Sequence, residues 1–262
     1  MLKIRIISEY SMELQFILTS AFVAAAASLL GAFAILKRMA LVGDALSHVA
    51  LPGIGLALIF NLNPFWGAAI FLFFAVIGVW FLEYKSSLSI ETIIGVFFSA
   101  SLALGAMLTP DHELIEALFG DISTIGWQES LILILLSICL VIFIIAMRKK
   151  IALNMVSQEL SQSVGIKNKR LEFAYLMAFA LVVALGIRFV GALLMGALVI
   201  IPAASAKNIS KSLKSFMLLS ALFGIFAAIL GAIISLIYGF HTGPIFILIS
   251  SIIFIISLLF RR

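Results

Sequence analysis

Long apolar runs follow one another along the whole chain, and short polar stretches separate them. Most runs are long enough to cross the ~30 Å hydrocarbon core of a bilayer as a helix, which takes about 20 residues. The runs are continuously apolar, whereas the strands of a membrane barrel alternate between apolar and polar residues. The pattern therefore predicts an all-α polytopic transmembrane bundle of eight or nine spans, near 14–36, 45–60, 65–82, 92–109, 130–147, 171–187, 190–206, 215–238 and 243–260. The count stays open because 171–187 and 190–206 are too close together to require two full spans.

The composition is that of a membrane protein without a separate soluble domain. Of the 262 residues, 64% are hydrophobic and 11% are charged, whereas a soluble domain carries about 25% charged residues. We therefore treat residues 1–262 as a single transmembrane domain. The single cysteine, Cys139, lies in an apolar run. It cannot form an intramolecular disulfide, and we expect a packed, unreactive thiol.

Basic residues follow the first, third, fifth and seventh apolar runs, and two arginines end the chain. Lys37 and Arg38, for example, come directly after the first run. Lysine and arginine favour cytoplasmic loops, so the C-terminus is predicted to be cytoplasmic. Nine spans would then place the N-terminus outside, which Lys3 and Arg5 do not favour. Because the charge clusters at the ends of runs, it indicates orientation and not binding of nucleic acid.

The second run carries an aspartate and a histidine where hydrocarbon makes them costly. Asp44 and His48 stand four positions apart, which places both on one face of a helix. At ~1.5 Å per residue from Arg38, His48 lies on the order of 15 Å into the bilayer. Ionisable residues at that depth usually face a bundle interior and mark ion pathways. We therefore predict a cation site. The structural alternatives are that Asp44 caps the helix and that His48 donates to a neighbouring carbonyl.

Pro52 and Gly53 follow this pair and predict an interruption of the helix within the ion pathway. Proline has no N–H, so the carbonyl of His48 loses its usual helical donor. Glycine permits local unwinding or the close approach of another helix. Imidazole and carboxylate are suitable ligands for zinc and other first-row divalent ions. Two protein ligands form a weak site, which suits an ion that must leave again.

Residues 154–170 are polar with spaced apolar residues and end in a glycine and basic residues. The pattern predicts one or two short helices ended by Gly165. From the residues alone, the segment is either a docking surface for a partner or a solvated connection. The chain also lacks the glycine-rich phosphate loop and the common hydrolase motifs, so we do not expect it to hydrolyse ATP or to act as an enzyme.

Four stretches of the sequence resemble the membrane permeases of bacterial ABC importers for zinc, manganese and iron. The most specific is "KRMALVGDALSHVALPGIGLAL", since a glycine-aspartate pair followed by a serine or alanine and a histidine is the hallmark of that family. The resemblance is closest to the high-affinity zinc-uptake permease of gamma-proteobacteria. The other three stretches are "LFGDI" at 118–122, "SQSVGIKNKRL" at 161–171 and "FVGALLMGALVIIPAASAKNIS" at 189–210.

The resemblance implies a permease that works with other chains in the bacterial inner membrane. Two copies would form the pore, a separate cytoplasmic ATPase would hydrolyse ATP, and a periplasmic zinc-binding protein would deliver the ion. Zinc would be the transported substrate, with no tightly bound cofactor, and Asp44 and His48 would hold it transiently. The loop 154–170 would couple the permease to the ATPase through Glu159, Ser161 and Gly165.

Two alternative functions stay open. The same architecture could import manganese or iron, since all three metals accept a carboxylate and an imidazole. A member of a different class, a secondary metal transporter without an ATPase, also commonly carries an intramembrane aspartate.

Overall fold

A computed structural model of the chain describes residues 2–86, 88–108, 118 and 126–260, with side chains from Glu13 onward. Helices and no strands occur in these residues, so the predicted all-α class is confirmed. The helices with described bounds are α1 (Leu2–Leu36), α2 (Val42–Val49), α3 (Leu51–Ile59), α4 (Pro64–Lys85), α5 (Ile90–Leu108), α6 (Trp127–Val156), α7 (Gln158–Ser163), α8 (Asn168–Val190), α9 (Met195–Ile209), α10 (Leu213–Tyr238) and α11 (Thr242–Leu259).

Eight segments of the described chain are long and apolar enough to cross a membrane. One of them, Val42–Ile59, consists of α2 and α3 together. The sequence left open whether the closely spaced runs 171–187 and 190–206 form two full spans. In the structure, the first lies in the full-length helix α8 and the second in the shorter helix α9. With 15 residues, α9 is only about 22 Å long. It therefore begins inside the bundle, if its other end lies at a membrane surface.

Helix α1 lies at the centre of the bundle and packs against α6, α9 and α10 through small residues. Ala24, Ala27 and Ser28 are completely buried. A side chain on Gly224 of α10 would collide with the hydroxyl of Ser28. Small residues let helix backbones approach closely, which is the usual way of packing helices where lipid removes the hydrophobic driving force.

Helix α3 is held at backbone distance by its two neighbours. A Cβ atom on Gly53 would collide with the carbonyl oxygen of Gly67 in α4, and a Cβ atom on Gly67 would collide with that of Gly53. On α5, a Cβ atom at Gly105 would lie 2.7 Å from the Cβ atom of Leu51. The position of α3, and with it the end of α2, is therefore fixed from two sides.

Polar contacts join the helices near their ends. Lys37 at the end of α1 forms an ion pair of 3.4 Å with Glu172 near the start of α8. The ammonium group of Lys169 lies 4.0 Å from the ring centroid of Tyr84 near the end of α4. The ends of α1 and α4 and the start of α8 thus meet at one end of the bundle, which we call the basic end.

Cys139 does not lie in the packed interior, so that expectation from the sequence is wrong. It is exposed on α6, where it lines a shallow apolar groove together with Met177 and Leu181 of α8. An apolar run in a membrane protein has a face directed to the lipid as well as a face directed to the core. The run alone does not show to which face a residue belongs.

Candidate metal-translocation site

Asp44 and His48 both lie on the short helix α2, one turn apart, as their spacing predicts. The imidazole is 8% exposed, and Asp44 is partly exposed. The two side chains are close enough to interact electrostatically. The structure therefore places a carboxylate and an imidazole together within a candidate membrane span.

One nitrogen of the His48 ring lacks a hydrogen-bond partner among the described residues. This atom, Nδ1, is buried. The ring instead meets the edge of Phe98 from α5, with the centroids 5.4 Å apart. The alternative in which His48 donates to a neighbouring carbonyl thus finds no support in this structure.

Asp44 does not cap helix α2. The residue at the cap position is Leu41, and no side-chain hydrogen bond closes that end of the helix. Asp44 lies inside the first turn, where the partial positive charge of the helix end favours a carboxylate. The carboxylate makes no hydrogen bond within the described residues. Helix capping therefore does not explain why an aspartate stands at this position.

The helical path is interrupted at Ala50, between α2 and α3. Pro52 lies in the first turn of α3, where a missing N–H is tolerated. The dihedral angles of Ala50, φ −73° and ψ −23°, stay close to helical values. The interruption is therefore slight. Gly53 lies one residue further inside α3, and its observed role is the contact with Gly67.

The turn between α8 and α9 packs against α2. Gly191 ends α8 with φ 80° and ψ 168°, a conformation that essentially only glycine adopts. The hydroxyl of Ser47 lies 2.6 Å from the carbonyl oxygen of Ala192 in this turn. At the start of α9, a Cβ atom on Gly196 would lie 2.7 Å from the Cβ atom of Asp44. Ser47, Gly196 and the turn are parts of the site that the sequence analysis missed.

Comparison with known proteins decides the family. The sequence model of the ABC 3 transport family matches residues 9–261. The chain belongs to the ABC 3 transport family. Together with the relatives described next, this match confirms the resemblance to metal-ion ABC permeases. The chain is a multi-pass membrane permease, a transport subunit and not an enzyme.

Relatives of this ABC 3 permease include proteins named for two different metals. The manganese transport system membrane protein MntC of Listeria monocytogenes is 30% identical over 256 residues, which cover 96% of this chain and 91% of the relative. The high-affinity zinc uptake system membrane protein ZnuB of Haemophilus influenzae is 31% identical over 238 residues, covering 89% and 91%. These identities do not favour either metal.

A solved structure has the same fold as the permease. This structure is PsaBC from Streptococcus pneumoniae in complex with Fab, and the match has a TM-score of 0.81 at 30% identity. The match covers 93% of this chain and 89% of the other. An experimental structure therefore shares the fold in which Asp44 and His48 lie.

The segment 154–170 of the permease consists of the end of α6, the short helix α7 and the start of α8. The Ser157 hydroxyl accepts a hydrogen bond of 3.1 Å from the amide of Leu160 and so caps α7. Gly165 follows with φ 84°, as expected for a helix-ending glycine. Glu159 and Gly165 are exposed, whereas Ser161 is completely buried. The surface that 154–170 presents therefore includes two of the three predicted coupling residues.

Two further features bear on the extent of the site. Of the stretch 118–122, only Leu118 lies within the described residues, and its carbonyl accepts a hydrogen bond of 3.0 Å from the amide of Leu193.

Within the described part of the chain, no group of three or more His, Cys, Asp or Glu side chains could hold a metal ion. Asp44 and His48 therefore remain the two candidate ligands in the described part of the site.

Proposed function

We propose that this permease carries zinc ions across the membrane through a transient site formed by Asp44 and His48. The observation that carries this proposal is the buried Nδ1 atom of His48, which lies one helical turn from a carboxylate and has no hydrogen-bond partner among the residues that the structure describes. Leaving a buried polar atom without a partner costs about 1–3 kcal/mol. A passing cation bound by the imidazole and the carboxylate would offset that cost.

The weakness of a two-ligand site agrees with transport. Structural zinc sites have four protein ligands and release the metal slowly, whereas a conduit must bind an ion and then let it go. Zinc is therefore proposed as the transported substrate and not as a resident cofactor, and no tightly bound cofactor is proposed.

Manganese is the second candidate substrate. The relatives of similar identity include a manganese permease, and a carboxylate is a good ligand for that harder ion. The selectivity among first-row divalent ions depends on geometry and supply more than on intrinsic affinity. Iron fits the same two ligands by the same reasoning.

The partners proposed are those of an ABC importer. Two copies of this chain form the pore, a cytoplasmic ATPase docks on 154–170, and a periplasmic zinc-binding protein delivers the ion. Exposed Glu159 and Gly165 support contact with the ATPase, while buried Ser161 supports a role in holding α7 against the bundle. The basic end is assigned to the cytoplasm of a bacterial inner membrane by the positive-inside rule, together with the C-terminus.

Uptake of radioactive zinc tests the proposal in bacteria that lack their own zinc importer. The cells express this chain with its ATPase and delivery protein and are limited for zinc. We expect uptake that requires the ATPase, and a loss of at least about tenfold in Asp44→Asn and His48→Ala at equal membrane abundance. Glu91→Gln is the matched control, because Glu91 is an exposed acid at the start of α5.

Other outcomes would change the proposal in defined ways. Manganese or iron uptake in place of zinc uptake would retain the site and replace the substrate. Uptake that survives loss of the ATPase would favour a secondary transporter. Native uptake by both the Asp44 and His48 variants would remove these residues from the pathway.

A further inference from the structure

The serine between the two proposed ligands is buried and holds a contact distant in sequence. Ser47 is 0% exposed. Its hydroxyl lies 2.6 Å from the carbonyl oxygen of Ala192 and 2.7 Å from that of Asp44. A hydroxyl has one proton to donate, so the two carbonyls share or compete for it. One of them belongs to a proposed metal ligand, and the other belongs to the turn between α8 and α9.

The Ala192 carbonyl lies in a buried turn, where an unpaired oxygen would be costly. Gly191 and Ala192 are both buried, and the chain between Gly191 and Leu194 is not helical. A buried carbonyl without a partner costs about 1–3 kcal/mol. The Ser47 hydroxyl supplies that partner, so the turn and α2 are bound together at this point.

The same turn is held from its other side and limits where Asp44 can move. The amide of Leu193 donates to the carbonyl of Leu118 over 3.0 Å. Three residues later, Gly196 lies very close to Asp44. A methyl group on Gly196 would lie only 3.0 Å from the Oδ1 atom of Asp44. Segment 191–196 therefore forms a fixed backbone wall beside the carboxylate.

We infer that Ser47 is a positioning residue of the transport site, which ties α2 to the Ala192 carbonyl and so fixes Asp44 and His48 against the wall formed by 191–196. The inference rests on the proposed function of Asp44 and His48 and extends it to a residue that binds no metal itself. Groups that orient metal ligands act in this way in many metal sites, and their loss typically costs about 10–100-fold in affinity or activity.

The test compares Ser47→Ala with Ser47→Thr in the complete importer, at equal membrane abundance. The family hallmark accepts alanine as well as serine before the histidine, but in this chain the buried Ala192 carbonyl has the Ser47 hydroxyl as its hydrogen-bond partner. We therefore expect Ser47→Ala to lower zinc uptake about tenfold here. Ser47→Thr retains the hydroxyl and should restore most of the activity. The matched control is Ser137→Ala on α6, because Ser137 is also completely buried but its hydroxyl has no hydrogen-bond partner in the described part of the chain. That variant should transport like the unsubstituted protein.

A second readout separates positioning from a general structural defect. Loosening the geometry of two ligands should change the ratio of zinc uptake to manganese uptake, measured with both ions in competition. A structural defect would lower the uptake of both ions by the same factor. A native rate and ratio in Ser47→Ala, or an equal fall for both metals without rescue by threonine, would overturn the inference.

Asp44→Asn and His48→Ala, measured in the same cells, distinguish the two levels of the proposal. If these variants lose uptake while Ser47→Ala does not, only the positioning role fails. If they keep native uptake, the proposed ion site fails, and the role of Ser47 fails with it.

Discussion

Two of the pairs of ionisable side chains in the described candidate spans, Arg188 with Glu129 and Asp44 with His48, differ in how their polar atoms are satisfied. Arg188 of α8 meets Glu129 of α6 through two hydrogen bonds, of 3.1 and 3.4 Å. Asp44 and His48 interact electrostatically, and within the described residues the buried Nδ1 atom of the imidazole has no hydrogen-bond partner. The first pair is internally complete, whereas the second is not.

The difference indicates different roles for the two pairs. A guanidinium and a carboxylate in fork geometry satisfy each other and join two helices. The unpaired nitrogen of the imidazole adds no hydrogen bond to the fold in this state, and a ligand that visits the site would give it a partner. We therefore expect changes to the Arg188 pair to alter stability, and changes around Asp44 to alter transport.

The largest effect is expected from Gly196→Ala. The added Cβ atom would lie 2.7 Å from the Cβ atom of Asp44 and force α2 or α9 to move. Displacing a functional group by about 1 Å can cost on the order of a hundredfold in rate, so we expect zinc uptake to fall by roughly that factor. Gly95→Ala on α5 is the matched control, since no described residue has an atom within 4 Å of the Cβ position at Gly95. Native uptake by Gly196→Ala would mean that transport does not depend on the position of Asp44.

A smaller effect, on stability and not on transport kinetics, is expected from Glu129→Gln. The side chains of Arg188 and Glu129 are 23% and 20% exposed, so breaking the pair should cost less than the ~3–5 kcal/mol of a fully buried pair. We expect a loss of about 1–3 kcal/mol in thermal or denaturant unfolding of the purified permease, with an unchanged substrate concentration at half-maximal uptake.

The double variant Glu129→Gln with Arg188→Met provides the control for this prediction. It removes both charges, so it should recover part of the stability lost in Glu129→Gln. A change in ion selectivity in either variant would contradict the division of roles between the two pairs.

The smallest effect is expected from Phe98→Leu, which removes the ring that contacts His48. The two rings lie at 69° with centroids 5.4 Å apart, and such aromatic contacts contribute about 0.5–1.5 kcal/mol. We expect a few-fold weaker apparent affinity for zinc uptake with a nearly normal maximal rate. Phe97→Leu is the control on the same helix, because Phe97 packs near Gly78 of α4 and not against His48. Equal effects of the two variants would show that the ring contact has no special role.

The sequence predicts those parts of the permease that depend on local spacing. Long apolar runs are enough for the all-α class and for the spans, because a bilayer demands helices of a certain length. The placement of Asp44 and His48 on one face follows from the period of the helix alone. The two structural alternatives were that Asp44 caps the helix and that His48 donates to a neighbouring carbonyl. Both could be tested only with coordinates.

Contacts between distant parts of the chain could not be predicted. Ser47 and Ala192 are 145 positions apart, and no periodicity relates them. Gly196 has the sequence neighbourhood of an ordinary small residue in an apolar helix, and only its distance to Asp44 gives it a role. The burial of Ser161 and the exposure of Cys139 depend, likewise, on which face of a helix meets the bundle.

The reciprocal contact of Gly53 and Gly67 also bears on how the chain enters the membrane during synthesis. Among the eight candidate spans of the described residues, Val42–Ile59 has the lowest mean hydropathy. Asp44 in the first turn of this span adds an insertion cost, smaller than the ~2.5–3.5 kcal/mol of an aspartate at the centre of a helix. Helix α4 is more apolar than the span Val42–Ile59. It is joined to α3 by a turn of four residues, 60–63, and contacts the backbone of α3. We therefore expect the two segments to insert together as a hairpin, with α4 carrying the polar segment into the bilayer.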